Sequence, residues 1–191
     1  MTMPGRLYIM TGQSGVGKTS VAQELLKVNQ RLRKVVTCTT RPMRSEETDG
    51  VSYNFLTQDQ FQKLLAQDAF FESDKHYGHF YGSRKSDVKN LLTNNLDVLF
   101  VLDVSGARTV KRLHPEAVTI FLTTHSLQEL TDRLEQRRSQ GDSVGFEERK
   151  QAIEREMAFE TDADYTIIND TGKLQETVKD VITLMERLDA K

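Results

Sequence analysis

The chain has 191 residues, a formal net charge of −2 and one cysteine, Cys38. This length fits a single domain with a sizeable core, and the near-neutral charge balance provides no general nucleic-acid surface, so a phosphate ligand has to be met by locally placed cations. A lone cysteine excludes an intramolecular disulfide and fits a reducing compartment; with no signal-peptide stretch and no apolar run of transmembrane length, the expectation is a cytoplasmic protein with small-molecule partners, no nucleic acid and no membrane. Oligomeric state is left open.

In chain order, Leu7-Tyr8-Ile9-Met10 opens a strand over 7–11, and the octapeptide Gly12-Gln13-Ser14-Gly15-Val16-Gly17-Lys18-Thr19 follows it directly. The octapeptide fits G-x-x-x-x-G-K-[ST] at every fixed position, in the strand, loop and helix context that a phosphate-binding P-loop requires. Its glycines let the backbone curl so that N–H groups point inward at a polyphosphate, and a helix predicted over 18–28 adds the positive end of its dipole. Gly12, Ser14, Gly15, Val16, Gly17, Lys18, Thr19 and Ser20 are therefore the expected ATP-binding residues, with Lys18 reaching the β- and γ-phosphates and Thr19 holding Mg2+.

A strand over 34–38 comes next, and then the segment 39–83 breaks the alternation. It carries Arg41-Pro42-Met43-Arg44, an acidic polar loop to Gly50, short β-like runs at 53–56 and 70–73, and an aromatic cluster, which together read as an inserted substrate subdomain. A helix over 84–94 and a strand over 97–103 return to the alternating pattern; helices over 105–113, 126–137 and 146–160, with strands over 117–122 and 165–169, continue it. In the last helix, 173–189, the residues Leu174, Val178, Val181, Ile182, Met185 and Leu188 share one face and are expected in the core. Residues 136–148 are polar and contain two glycines, which suits a mobile loop between helices. Strands alternating with helices predict an α/β fold: a parallel sheet with flanking helices of the P-loop NTPase type, an inserted small mixed substrate subdomain and a helical lid. The corresponding division is a core of 1–36, 91–125 and 156–191, an acceptor-binding subdomain of 37–90 and a lid of 126–155.

Asp97-Val98-Leu99-Phe100-Val101-Leu102-Asp103 looks like a buried strand ending in a carboxylate. Beside a P-loop such an acid orders the hydration shell of Mg2+, although Asp at a strand end also serves as an ordinary turn signal.

The ordered series Thr39-Thr40-Arg41-Pro42-Met43-Arg44, Asp49-Gly50-Val51-Ser52-Tyr53-Asn54-Phe55, Phe71-Glu72 and Gly78-His79-Phe80-Tyr81-Gly82-Ser83, behind the P-loop, resembles guanylate kinase. The resemblance runs on through Asp103-Val104-Ser105-Gly106-Ala107-Arg108 and Ser126-Leu127 to Ile168-Asn169-Asp170, so it covers nearly the whole chain. It implies phosphoryl transfer from ATP to GMP, a nucleotide contact at Asn169, hydroxyls of Thr37 and Ser83 donating to guanine O6, and lid arginines at Arg137 or Arg138 and at Arg149. Arg133, in the charge-rich helix 126–137, fits a solvated face with i,i+4 partners equally well. The sequence departs from the family pattern at Val101, where an acid is usual, at Ser105 in place of Gln, at Thr37 in place of Ser and at His79 in place of Asn.

The residue types make chemical sense for that reading. Arg41 and Arg44 can converge as planar donor forks on one monophosphate, and Tyr53 and Tyr81 each offer it a neutral hydroxyl. Glu72 follows two phenylalanines, and a carboxylate in such a pocket is costly unless it accepts hydrogen bonds. Guanine supplies two, from N1–H and the 2-amino group, whereas adenine presents an acceptor at N1 and leaves the acid unpaired. Two other readings share the P-loop: a kinase for a different phosphorylated metabolite, and a guanylate-kinase-like binding module that has lost catalysis.

Overall fold

The run Leu7–Gly12 forms β1, buried along its whole length at the centre of a five-stranded parallel sheet. The computed structural model describes residues 5–76, 78–139 and 146–190, with the side chains of His76, Arg137, Glu148 and Arg149 outside that description. On one side β1 pairs with β7 (Asp97–Val101), which pairs with the edge strand β2 (Leu32–Lys34). On the other it pairs with β8 (Val118–Thr123), followed by β9 (Tyr165–Ile168). The chain therefore leaves β1 at the point where the sheet's connections diverge to either side, the place where open α/β sheets bind ligands.

Both faces of this sheet are covered, which is why its strands read as continuous apolar runs rather than alternating ones. Tyr8 and Met10 point to one face, where Leu25 of α1 (Lys18–Val28) and Val178, Val181 and Met185 of α7 (Leu174–Asp189) meet them. Leu174, Ile182 and Leu188 pack against that cluster as half-buried neighbours, so the predicted stripe does face the core. Leu7 and Ile9 point to the other face, with Val88 of α3 (Lys85–Thr93), and Ala107 and Val110 of α4 (Val104–Leu113). The remaining helices, α5 (Leu127–Ser139) and α6 (Phe146–Met157), add Leu130, Leu134, Phe146 and Ile153 to the first cluster.

The inserted segment forms a second, four-stranded mixed sheet in the order β4 (Asn54–Phe55), β3 (Cys38–Thr39), β6 (His79–Arg84), β5 (Phe70–His76). It contains a helix that the sequence reading did not anticipate, α2 (Gln58–Ala66). Thr57 caps it reciprocally with Gln60, and Phe61 stacks on Phe70 and Phe80 at centroid distances of 4.4 and 5.4 Å. β6 was not anticipated as a strand either.

The strand expected at 34–38 is divided between the two sheets. Val35 N–H still donates to Leu99 O, but Asn54 then takes over: its Nδ2 donates to Val36 O and its backbone N to Thr37 O. Side-chain capture of a carbonyl ends the first sheet and starts the second within one apolar run, a change that hydrophobic patterning does not register. The helix expected to 160 stops at Met157, and a short 3-10 turn, Glu160–Asp162, follows.

Val101 is half-buried at the end of β7, opposite Met10 in the ladder and packed on the first core cluster. A carboxylate there would lose hydration against an apolar cluster, so Val101→Asp is expected to lower folding stability by about 1–3 kcal/mol. Urea unfolding of the two proteins measures this, and an unchanged midpoint would show that the position tolerates charge.

Candidate active site

The loop after β1 is shaped by glycine where no other residue fits. At Gly12, with φ +145°, an added Cβ would lie 2.1 Å from Leu122 O of β8; at Gly17, with φ +98°, it would lie 2.7 Å from Asn169 Nδ2. Gly17 is also the N-cap of α1, so the first-turn N–H groups of that helix open toward the loop, with Thr19 and Ser20 exposed beside them. Lys18 Nζ donates to Gly12 O at 2.7 Å and Gln13 O at 3.1 Å, so its ammonium sits across the mouth of the loop.

The loop is braced from outside. Val16 O accepts hydrogen bonds from Asn169 Nδ2 at 2.7 Å and Arg133 Nη1 at 3.1 Å. Asn169 is buried, and its Oδ1 accepts from Thr177 Oγ1, so its side chain supports the loop from behind. Arg133 does make the i,i+4 contact with Glu129, at 3.2 Å, but it also donates to Asn169 O and Thr171 Oγ1. The Glu129–Arg133 spacing gives no hint of these long-range bonds. A second unanticipated residue, Glu156 of α6, accepts from Ser14 N–H at 2.7 Å.

The small sheet builds the other half of the site. Glu72 on β5 and Ser83 on β6 are cross-strand partners, both buried, and Ser83 Oγ donates to Glu72 Oε1 at 2.7 Å. Gly82 permits this packing: a Cβ there would meet Phe70 Cδ1 at 2.9 Å. Because β3 pairs Cys38 with Gly82, Thr37 stands one step along the same ladder, beside Ser83. Burial pushes the Glu72 carboxyl up to about 7, aided by the nearby charges of Asp103 and Asp74 and opposed by the Ser83 hydrogen bonds. A hydroxyl and an easily protonated carboxyl are thus paired, buried, on the small sheet.

Arg41 is buried too, and its Nη2 meets Glu47 Oε1 at 2.5 Å while Arg44 N–H donates to Glu47 Oε2 at 2.8 Å. The Tyr53 ring lies 5.4 Å from the Arg41 guanidinium carbon and 6.2 Å from the Tyr81 ring. Arg41, Tyr53 and Tyr81 are thereby gathered in one place, with Arg44 tied into the same turn. Glu47 was not anticipated, since its stretch reads as a polar acidic loop. Burial lowers the proton affinity of the Arg41 guanidinium, but Glu47 with Tyr81 and Tyr53 raises it by more, and Arg41 with Arg44 holds Glu47 below the usual carboxylate range despite its own desolvation.

Asp103 behaves first as a helix cap: its Oδ1 accepts from Gly106 N–H at 2.8 Å at the start of α4. Its charge also reaches Glu72. Among the described residues no cluster of three or more His, Cys, Asp or Glu side chains could cage a metal. Thr19 is exposed in the first turn of α1, and Asp103 stands at the start of α4. Arg138 is exposed, and its guanidinium carbon lies 4.7 Å from the Phe146 ring centroid, bridging α5 and α6. The side chains of Arg137 and Arg149 lie outside the described residues.

Comparison with known proteins identifies the family. The guanylate kinase family profile matches residues 4–188. A guanylate kinase of Rickettsia typhi is 37% identical over 93% of this chain and 90% of its own length. One of Thermus thermophilus is 39% identical over 96% of this chain and 81% of its own. In fold, a crystal structure of guanylate kinase from Anaplasma phagocytophilum superposes with a TM-score of 0.81 at 24% identity, covering 98% of this chain and 88% of that one. No helix among the described residues is long and apolar enough to cross a membrane. With the family profile spanning nearly every residue and relatives 37–39% identical over more than nine-tenths of this chain, the chain belongs to the guanylate kinase family and is a nucleotide kinase.

Proposed function

We infer that the chain transfers the γ-phosphoryl group of ATP to the phosphate of GMP, giving ADP and GDP. The observation that carries this reading is the buried Glu72–Ser83 pair set across from the Arg41 cluster, since it gives a monophosphate pocket a hydrogen-bonding pattern for one base. The Glu72 carboxylate accepts from guanine N1–H and the 2-amino group; the Thr37 hydroxyl donates to O6, and the Ser83 hydroxyl joins it by turning its one proton from Glu72 Oε1 to O6 as guanine takes over that acceptor. Arg41, Arg44, Tyr53 and Tyr81 hold the GMP phosphate, with Glu47 orienting the planar Arg41 fork. On the donor side, N–H groups of the loop and of the first turn of α1 receive the ATP phosphates, and Lys18 follows the charge that moves with the transferred group. Asn169 serves ATP indirectly, through the loop it supports.

Phosphoryl transfer needs two phosphates in line, neutralised charge and excluded water, and little covalent help. Residues 37–90 act in this reading as the acceptor-binding subdomain and 126–155 as a lid bringing arginines over the transferring group: Arg149 with Arg137 or Arg138. Mg2+, where bound, neutralises the β- and γ-phosphate oxygens; Thr19 and Asp103 are the residues that would orient it and its waters. The chain acts in the cytoplasm on free nucleotides. A coupled assay across GMP, dGMP, AMP, UMP and sugar phosphates tests the assignment: GMP is expected to give the highest kcat/KM, and preference for AMP or a sugar phosphate would overturn it.

Lys18→Ala removes a charge placed on the transferring phosphates, so it should lower kcat by about two to three orders of magnitude. GMP affinity, measured by calorimetry, should stay within about twofold. Near-normal turnover by the folded variant would remove the P-loop from the mechanism.

The base assignment predicts a pH dependence. A Glu72 carboxyl near 7 in the folded protein, against an ordinary value near 4.5, keeps its proton over a range where the unfolded chain has lost it. Its contribution to folding is therefore present below that ordinary value and is lost as pH rises toward 7. GMP requires the opposite form, the carboxylate, so the KM for GMP should rise as pH falls below about 7. Glu72→Gln should remove that limb of the profile, lower kcat/KM for GMP by about 2–4 kcal/mol and narrow the preference over AMP, leaving the KM for ATP unchanged. An unaltered GMP-to-AMP ratio would mean that Glu72 does not read the base.

A further inference from the structure

The contact between Glu156 and Ser14 has no part in the mechanism above. Glu156 lies in the last turn of α6 and is only 7% exposed, and its Oε2 accepts the backbone N–H of the third residue of the P-loop at 2.7 Å. Two residues on, the loop is held again, by Arg133 of α5 on Val16 O. The two helices that flank the segment 140–145 are thus each hydrogen-bonded to the P-loop, one through a carbonyl and one through an N–H. Nearby Ile153, and Phe146 at the start of α6, are buried in the same cluster as Val16, Leu130 and Leu134, so both bonds sit on a packed apolar base.

We propose that Glu156 is a positioning residue for the donor site: a strut that fixes Ser14 of the P-loop to α6 and makes the shape of the phosphate cradle depend on how α6 is seated. The idea rests on the P-loop being the ATP site, as in the reading above. A loop rich in glycine has many backbone conformations of similar energy, and holding each residue in one of them costs entropy. A bond from a buried carboxylate to a loop N–H offsets part of that cost before ATP arrives, which is how preorganisation raises affinity. Ser14 N–H is thereby committed to the protein, and the phosphates are left to the N–H groups further along the loop and in the first turn of α1. Arg149 precedes Glu156 by seven residues on the same helix, so any shift of α6 that carries this lid arginine also pulls on the loop.

The test separates a hydrogen bond from a charge and from general packing. Glu156→Ala removes the acceptor, Glu156→Asp retains the charge but withdraws it by one methylene, and Glu156→Gln retains the reach and an acceptor oxygen. Binding of MgATP and of GMP is measured separately by calorimetry, with kcat from the coupled assay. Glu156→Ala and Glu156→Asp should each weaken MgATP by about 10- to 100-fold, the range expected for loss of one charge-assisted hydrogen bond. Glu156→Gln should recover to within about threefold of the parent, and GMP affinity should change by less than about twofold throughout. Should the Ala protein fail to fold, the Asp and Gln pair alone decides the matter. Tighter MgATP binding by Glu156→Gln or Glu156→Ala would mean that the carboxylate competes with phosphate, and equal loss for Gln and Ala would assign the effect to charge; either result overturns the strut, as does parallel loss of GMP and MgATP affinity. MgATP binding is read without the acceptor, so a wrong GMP assignment would show as missing turnover in the parent protein while the strut stood or fell by itself.

Discussion

Everything on the donor side depends on one backbone carbonyl. Val16 O lies between Asn169 Nδ2 and Arg133 Nη1, and these two bonds fasten the glycine-rich loop to the end of β9 and to α5. An anion-binding loop has to turn its N–H groups inward, which forces carbonyls outward into the protein, where each needs a partner. Buried side-chain donors meet that need here. Asn169 is in turn held by Thr177 of α7, so a residue in the last helix sets the side chain that sets the loop. This gives Gly17 its second reason to be glycine: a Cβ would occupy the space of the Asn169 amide.

The acceptor side is governed by the opposite problem, how to keep a cation dry. Arg41 is buried, and an unpaired guanidinium there would cost several kcal/mol. Glu47 resolves this from six residues away while also accepting the Arg44 N–H, so one carboxylate neutralises the first arginine and bends the backbone that carries the second. A guanidinium has five donors in a fixed plane, and its bonds to Glu47 and to Pro42 O orient that plane without exhausting it. Lysine at position 41 could not be oriented in this way, so that exchange would not be conservative.

How much of this was legible in the sequence follows from the range of each interaction. The P-loop was legible because its chemistry is local: eight consecutive residues specify the turn, the helix start and the charge. The parallel sheet was legible because both of its faces are covered, which turns strands into plain apolar runs. Arg41, Tyr53, Glu72, Tyr81 and Ser83 were named as residue types fit for a nucleotide pocket, and the structure brings them to the small sheet. Helix α2 was overlooked although Thr57 and Gln60 form a capping box, because the surrounding segment looked β-like and irregular. Arg133 and Glu156 were out of reach for a stronger reason. Their partners stand 117 and 142 residues away, and nothing in a charged amphipathic helix marks which of its ionic side chains will turn inward.

Asp103 shows how one residue can answer two readings of the same letter. As the end of a strand it reads as an ordinary turn signal, and the structure makes it the cap of α4 through Gly106 N–H. As an acid beside a P-loop it was expected to order the hydration shell of Mg2+, and capping a helix does not remove its charge. That charge is felt at Glu72, where it favours the protonated acid. A guanine in the pocket would reverse the preference by offering two donors to the carboxylate, so base binding and loss of the Glu72 proton are a single equilibrium. Asp103 makes that proton harder to lose and so sharpens the requirement for a base that donates twice.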